Sequence, residues 1–215
     1  MTDVKDMTER TKKAVDARPG PDNAGPKYLP GDPGVRGGVR GDARGRAKDD
    51  IAAMIRVDQA GEFGAQRIYA GQISVLGKGP RGDILRHMQE QEQHHLDSFN
   101  AILTARRVRP TILTPFWHWA GYALGAGTAM MGEKAAMACT VAIEETIDDH
   151  YRQQHDALPE SEAELKDTIE RFRQEELEHR DIGLEHGAEG APAYPVLYGA
   201  IKRASKLAIW LSERF

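Results

Sequence analysis

From residue 49 onward apolar residues return every third or fourth position, the spacing of one helical face, and no stretch alternates with period two. Following those steps predicts four long helices and no sheet. The first covers 49–76, with Ile51, Ile55, Asp58, Glu62, Ala65, Tyr69 and Ile73 turned inward, and ends at Gly77 and the Gly79-Pro80 breaker. The second, over 82–106, turns Ile84, Met88, Glu92, His95, Phe99 and Ile102 inward. The third, over 129–156, aligns Met137, Val141, Glu144, Asp148 and Tyr151 and stops before Leu158-Pro159. The fourth starts near Ser161, read as an N-cap with Glu164 at capping-box spacing, and aligns Leu165, Ile169, Phe172, Glu176, His179 and Gly183. Short links after the first and third helices make each pair an antiparallel hairpin. A long crossover joins the pairs, so the chain reads as two similar halves of an all-α, antiparallel four-helix bundle.

Residues 1–48 follow another rule. They are rich in Gly, Pro, Arg and Asp with little to bury, so ordering them would cost entropy that no packing returns. We expect a disordered tail over 1–48 and one folded domain over 49–215. The tail's Arg36, Arg40, Arg44, Arg46 and Lys48 read as a solvated run, with contact to anionic lipid or nucleic acid as the functional alternative. The whole chain of 215 residues carries a formal net charge of -4, which gives no molecule-wide attraction for nucleic acid. Its one cysteine, Cys139, lies in an apolar run and reads as a buried, reduced thiol. No signal-peptide core opens the sequence, so cytoplasmic synthesis and retention are expected.

An amphipathic helix should keep carboxylates off its buried stripe, because an unpaired buried carboxylate costs several kcal/mol or more. Here all four stripes carry one. Two of them add a histidine three residues on, in Glu92-Gln93-His94-His95 and Glu176-Leu177-Glu178-His179, which places both side chains on one face about a turn apart. Four carboxylates and two imidazoles converging in a bundle would repel one another unless cations joined them, and two divalent ions remove that penalty. One Glu from each of two helices and Glu-x-x-His from each of the others is the ferritin-like di-metal pattern. Oxygen-rich sets with one imidazole per ion suit iron or manganese better than zinc. Glu90, His94, Glu145, Glu175 and Glu178 are adjacent alternatives, but each is rotated about 100° or more from the apolar stripe. Metal-bound histidines usually donate their second N–H to an acceptor; Asp58 and Asp148, a turn from Glu62 and Glu144, are the candidates, with plain surface acids as the alternative.

Between 110 and 132 no residue is formally charged, while Ile112, Leu113, Phe116, Trp117, Trp119, Tyr122, Leu124, Met130 and Met131 are apolar or aromatic. Pro110, Pro115 and the glycines Gly121, Gly125 and Gly127 interrupt the run, which predicts an interfacial membrane hairpin with Trp117, Trp119 and Tyr122 at headgroup depth rather than a span. A buried crossover is the alternative. An additional C-terminal amphipathic helix puts Leu197, Ile201, Ala204, Ala208 and Leu211 on one face and Lys202, Arg203 and Lys206 elsewhere, fit either for a membrane or for capping the bundle.

The stretches RVDQAGEFGA at 56–65, GAGTA at 125–129, ACTVAIEE at 138–145 and EELEHRDIGL at 175–184 resemble the demethoxyubiquinone hydroxylase family of ubiquinone biosynthesis. The resemblance covers about residue 49 to the C-terminus. It implies a peripheral enzyme on the cytoplasmic side of the inner cell membrane, a di-iron monooxygenase that uses dioxygen to hydroxylate a polyprenyl methoxy-methyl-benzoquinol. It implies two iron ions as cofactor, ligated by Glu62, Glu92, His95, Glu144, Glu176 and His179, the six reached from helical phase, with Glu92 and Glu176 bridging. It also places His150 and Tyr151 close to the metals, and it implies accessory proteins of the same pathway as partners. An iron-storage or peroxide-reducing protein of the ferritin or rubrerythrin kind would use the same ligand pattern, though an apolar crossover argues against it. A non-enzymatic membrane-docked protein and a transfer-RNA hydroxylase are further alternatives; the second is weakened by the lack of a basic bundle face.

Overall fold

The structure, a computed structural model, describes residues 43–215. The expectations for residues 1–42, and the side chains of the basic cluster, lie outside it. Helix α1 covers Ala43–Leu76, α2 Pro80–Arg106, α3 Thr114–Met130, α4 Glu133–Ala157, α5 Ala163–Glu185 and α6 Tyr194–Arg214, with 3-10 turns at Glu160–Glu162 and Ala188–Gly190. Among the described residues there is no strand. Helix α1 therefore begins inside the stretch expected to be tail.

Two apolar clusters fix how the four long helices run. One gathers Tyr69, Leu85, Met88, Met137, Val141 and Ala188; the other gathers Ile55, Phe99, Leu103, Tyr151, Leu165, Ile169 and Phe172. Going up in number, α1 and α5 run from the second cluster to the first, whereas α2 and α4 run from the first to the second. The hairpin partners α1 and α2, and α4 and α5, are thus antiparallel, as short connections require, while α2 and α4, joined by the crossover, run the same way. Between the clusters each helix has its carboxylate: Glu62, Glu92, Glu144 and Glu176 stand about midway along the bundle.

Helix α3 corrects the expected hairpin. The crossover is one continuous helix, opened by Pro115 in its first turn, where a missing N–H costs nothing, and lying along α1. Its glycines do not break it; they are where α1 comes close. A Cβ on Gly125 would stand 1.9 Å from the Ile68 carbonyl oxygen, and one on Gly71 would stand 2.2 Å from that of Tyr122. Helix α4 starts at Glu133 rather than 129 because Gly132, at φ 114, turns the chain sharply between α3 and α4. The capping box at Ser161 is also absent. The chain leaves Pro159 through a 3-10 turn, so α5 starts at Ala163 with Glu162 at the cap position and no side-chain cap bond. Glu162 instead pairs with Arg106 at 2.6 Å.

Helix α6 packs on α4 and α1 with Ile201 buried against Ile68, Cys139 and Ala142. The Tyr198 hydroxyl and Lys202 Nζ both donate to Glu145, clamping α6 to α4. Of the predicted face, Leu197, Ala208 and Leu211 are half-buried and Ala204 is exposed, so that face caps the bundle. Cys139 is fully buried, and burial pushes its thiol up to about 12.

Candidate metal centre

Residues Glu62, Glu92, His95, Glu144, Glu176 and His179 come together at the bundle centre, each at most 1% exposed. They fall into two groups, Glu62, Glu92, His95 and Glu176, and Glu92, Glu144, Glu176 and His179, in each of which one ligand atom per residue lies within 4.8 Å of the others. Glu92 and Glu176 belong to both groups, the place a bridging carboxylate occupies. The helical reason is simple: each Glu-x-x-His sets two side chains on one face, and α2 and α5 turn those faces toward each other.

Both imidazoles aim Nδ1 at the centre. His95 Nδ1 lies 3.1 Å from Glu176 Oε1 and 3.6 Å from Glu62 Oε2; His179 Nδ1 lies 3.1 Å from Glu92 Oε1 and 3.3 Å from Glu176 Oε2. The stack of His95 on Phe172, at 4.1 Å between centroids, fixes the first ring. The terminal carboxylates are held by tyrosines in a symmetric exchange between α1 and α4. Tyr151 donates to Glu62 Oε1, and Tyr69 donates to Glu144 Oε1 at 2.9 Å. Each tyrosine is the seventh residue after the glutamate of its own helix, so the two hairpins repeat the device.

Whether these residues fit metal ions can be tested on their unused lone pairs. Glu62 Oε2, both oxygens of Glu92, Glu144 Oε2, Glu176 Oε2 and His179 Nδ1 are buried with no aligned hydrogen-bond partner. So many orphan acceptors in one place violate the rule that buried polar atoms are paired, and two cations would satisfy them together. Electrostatics agree. Burial, and then the charge of Glu176, raise Glu92 and Glu144 well above the usual carboxylate range. Burial works against the charge of Glu176, yet the nearby imidazoles of His179, at 3.3 Å, and His95, at 3.1 Å, hold it low. Burial also works against charging His95, but Glu176 and Glu62 carry it up to about 12. The cluster retains protons that cations would replace. Six oxygen and nitrogen ligands without sulfur fit iron or manganese.

Asp58 and Asp148 do not serve the histidines. Asp148 accepts from Arg173 at 2.6 Å, because Arg173 on α5 faces it across the α4–α5 contact. Asp58 Oδ1 lies 3.4 Å from His150 Nε2 without alignment, and burial raises its carboxyl to about 6. The acceptors of the ring N–H groups are Glu175, 2.7 Å from His95 Nε2, and Gln91, 3.1 Å from His179 Nε2. Neither was assigned this role from the sequence. The available signal was that each immediately precedes a Glu-x-x-His, so a residue rotated off the stripe of its own helix reaches the histidine of the other.

A narrow cleft lined by Val57, Asp58, Gly61, Glu62, Ile147, His150, Tyr151 and Ile209 leads from beside α6 to Glu62. A prediction follows from Asp58 at its wall. Its folded-state pKa of about 6 lies above the ordinary 3.8, so the fold binds this proton more tightly than the unfolded chain, and stability falls as pH rises from about 4 to about 6. Asp58→Asn should match the parent near pH 4 and be more stable by up to about 3 kcal/mol above pH 6. Urea unfolding of both proteins across that range checks it; an offset that does not change with pH would mean an ordinary carboxyl.

The family model described as "Ubiquinone biosynthesis protein COQ7" matches residues 49–212. The chain is 61% identical over 165 residues, covering 76% of it and 78% of the relative, to a 3-demethoxyubiquinol 3-hydroxylase from Rhodospirillum rubrum. It is 50% identical over 190 residues, 84% of it and 88% of the relative, to the mitochondrial NADPH-dependent 3-demethoxyubiquinone 3-hydroxylase of Homo sapiens. With the mitochondrial 5-demethoxyubiquinone hydroxylase of Saccharomyces cerevisiae it shares 43% over 178 residues, 75% and 76% of the two chains. A match that runs through all six helices, at these identities, makes this chain an enzyme, a hydroxylase belonging to the demethoxyubiquinone hydroxylase family of ubiquinone biosynthesis.

Proposed function

We propose that this hydroxylase is a di-iron monooxygenase that adds a hydroxyl to the ring of a polyprenyl methoxy-methyl-benzoquinol at a membrane surface. The observation that carries it is the pair of overlapping buried ligand groups sharing Glu92 and Glu176. Iron held by Glu62, Glu92, His95, Glu144, Glu176 and His179 would supply the activation of dioxygen, one oxygen atom going to a ring carbon and the other leaving as water, with two electrons and two protons drawn from an external reductant. The protein's own residues do the rest. Tyr151 and Tyr69 each hold one carboxylate oxygen and so present the other, Glu62 Oε2 and Glu144 Oε2, inward. Burial foremost, and the surrounding carboxylates next, raise both phenols well above their ordinary value, so they stay protonated donors. The apolar clusters above and below exclude bulk water. The cleft at Glu62, with His150 and Asp58 on its wall, has room for about one water molecule, so the side chains lining it would have to move apart for a ring to enter.

The surface supports a lipid-facing entrance. No helix among the described residues is long and apolar enough to cross a membrane. Trp117 and Tyr122, expected at headgroup depth, face protein instead: the Trp117 indole donates to Ser212 Oγ at 3.1 Å, and Arg67 sits over the Tyr122 ring. The exposed apolar line is Ile112 just before α3, Phe116, Trp119 and Met130 along α3, and Val196, Leu207 and Trp210 on α6. Ile112 N–H donates to the Phe215 carbonyl, so the start of α3 meets the end of α6 and the two lines adjoin. Ile209, at the cleft, stands in sequence between the exposed Leu207 and Trp210 of the same helix. A polyprenyl tail would stay in lipid while its ring entered beside α6, with the enzyme seated peripherally on the inner cell membrane. Phe116→Ser with Trp119→Ser should weaken liposome binding about 10-fold or more while iron content is kept. Unchanged flotation would reject this face.

The test of the reaction is quinone profiling by mass spectrometry in cells lacking the protein. The expected result is accumulation of the polyprenyl ring short of one oxygen substituent, reversed by the intact chain; a normal quinone profile would overturn the proposal.

A further inference from the structure

The two halves of the centre are alike in every residue that faces it and unlike in the groups that stand behind the histidines. Glu62 and Glu144 are both held by a tyrosine from the opposite hairpin. Glu92 and Glu176 are both shared. His95 and His179 both turn Nδ1 inward and Nε2 outward. Behind His95, however, the acceptor is a carboxylate, Glu175 Oε2 at 2.7 Å; behind His179 it is an amide oxygen, Gln91 Oε1 at 3.1 Å. The two acceptors occupy corresponding positions, each directly before the shared glutamate of its own helix, so the difference is one of chemistry and not of place.

An N–H that donates to an anion is more polarised than one that donates to a neutral amide, and its bond is shorter and roughly twice as strong. Electron density withdrawn from that N–H bond appears at the other ring nitrogen, which makes the imidazole a better donor to a metal. Glu175 is 29% exposed and carries no second hydrogen-bond partner among the described residues, so its inner carboxylate oxygen is given to His95 alone. Gln91 cannot carry a charge at any pH.

We infer that Glu175 and Gln91 make the two metal positions unequal, the anionic acceptor strengthening His95 so that the position built on Glu62 and His95 holds a divalent ion more tightly than the one built on Glu144 and His179. This rests on the reading that the six residues hold two ions. Glu175 and Gln91 are positioning residues: neither faces the ions, and each acts through the ring it holds. The consequence is ordered loading, with the His95 position filled first and the His179 position last to fill and first to empty.

The experiment is anaerobic titration of the metal-depleted full chain with ferrous iron against a chromophoric chelator, with Mössbauer spectra of the loaded protein. The wild type should take up two ions with dissociation constants about 10-fold or more apart, and should give two resolved ferrous signals. Glu175→Gln should weaken only the tighter step, by about 10-fold to 100-fold, and bring the two signals together. Gln91→Glu should tighten only the weaker step, a gain that damage to the fold cannot imitate. Two ions bound with equal constants in the wild type, or constants unmoved by either substitution, would overturn the inference while leaving the di-metal reading intact. Uptake of no iron, or of a single ion, would overturn that reading and the inference with it.

Discussion

Glu176→Ala is expected to remove iron and hydroxylation together. Glu176 belongs to both ligand groups, and its two oxygens face the two imidazoles, Oε1 toward His95 at 3.1 Å and Oε2 toward His179 at 3.3 Å. Losing one outer acceptor behind a ligand typically costs 10-fold to 100-fold in metal affinity or activity, so losing a carboxylate shared by both positions should cost at least about 100-fold in turnover. The variant would also strip His95 and His179 of their common partner, leaving His95 to Glu62 at 3.6 Å and His179 to Glu92 at 3.1 Å. Iron per chain by plasma emission and turnover of a demethoxyquinol are the measurements. Glu178→Ala, two residues on and exposed, is the control that should keep both. A Glu176→Ala enzyme with full iron and normal turnover would dismantle the centre as described.

The second large effect lies in the fold, where Gly125→Val should prevent α3 from seating on α1. The first atom of any side chain at 125 would meet the Ile68 carbonyl oxygen at 1.9 Å and its carbon at 2.8 Å, and backbone cannot swing aside as a side-chain tip can. The helices must separate, which costs at least about 3 kcal/mol at a site this closely packed. Gly127, two residues away, meets nothing within 4 Å. Gly127→Ala should therefore be stabilising by about 0.5–1 kcal/mol through helix propensity alone. Urea midpoints for the pair give the comparison, and similar midpoints would mean that the α1–α3 contact is not set by these glycines.

That contrast marks where sequence reading stops. A glycine in an apolar run looks the same at 125 and at 127, and both look like interruptions. Which of them is needed depends on the rotation of α3 about its axis and its distance from α1, and neither quantity belongs to α3 itself. The aromatic residues of the same run divide in the same way: Trp117 and Trp119 are two apart, and one donates to Ser212 while the other is exposed.

The site was more legible. A period of 3.6 residues fixes which positions of a helix share a face, so Glu144 could be told from Glu145 and Glu176 from Glu175 before any partner was known. The structure turns Glu144 and Glu176 to the centre and gives Glu145 to Tyr198 and Lys202 on α6. Asp148 shows the limit of that rule. It is on the right helix and near the right stripe, but Arg173 on α5 is opposite it and takes it.

The sequence by itself determined the four long helices, their apolar stripes and the carboxylates and histidines set into them, because backbone periodicity is a local property that each segment carries alone. Only the tertiary structure decided that Glu175 stands behind His95, that Gln91 stands behind His179, that Tyr69 and Tyr151 cross between hairpins, and that α3 lies flat against α1. Those contacts depend on the axial offset and rotation of one helix against another, and these are fixed by the packing of all the helices at once, where no single segment records them.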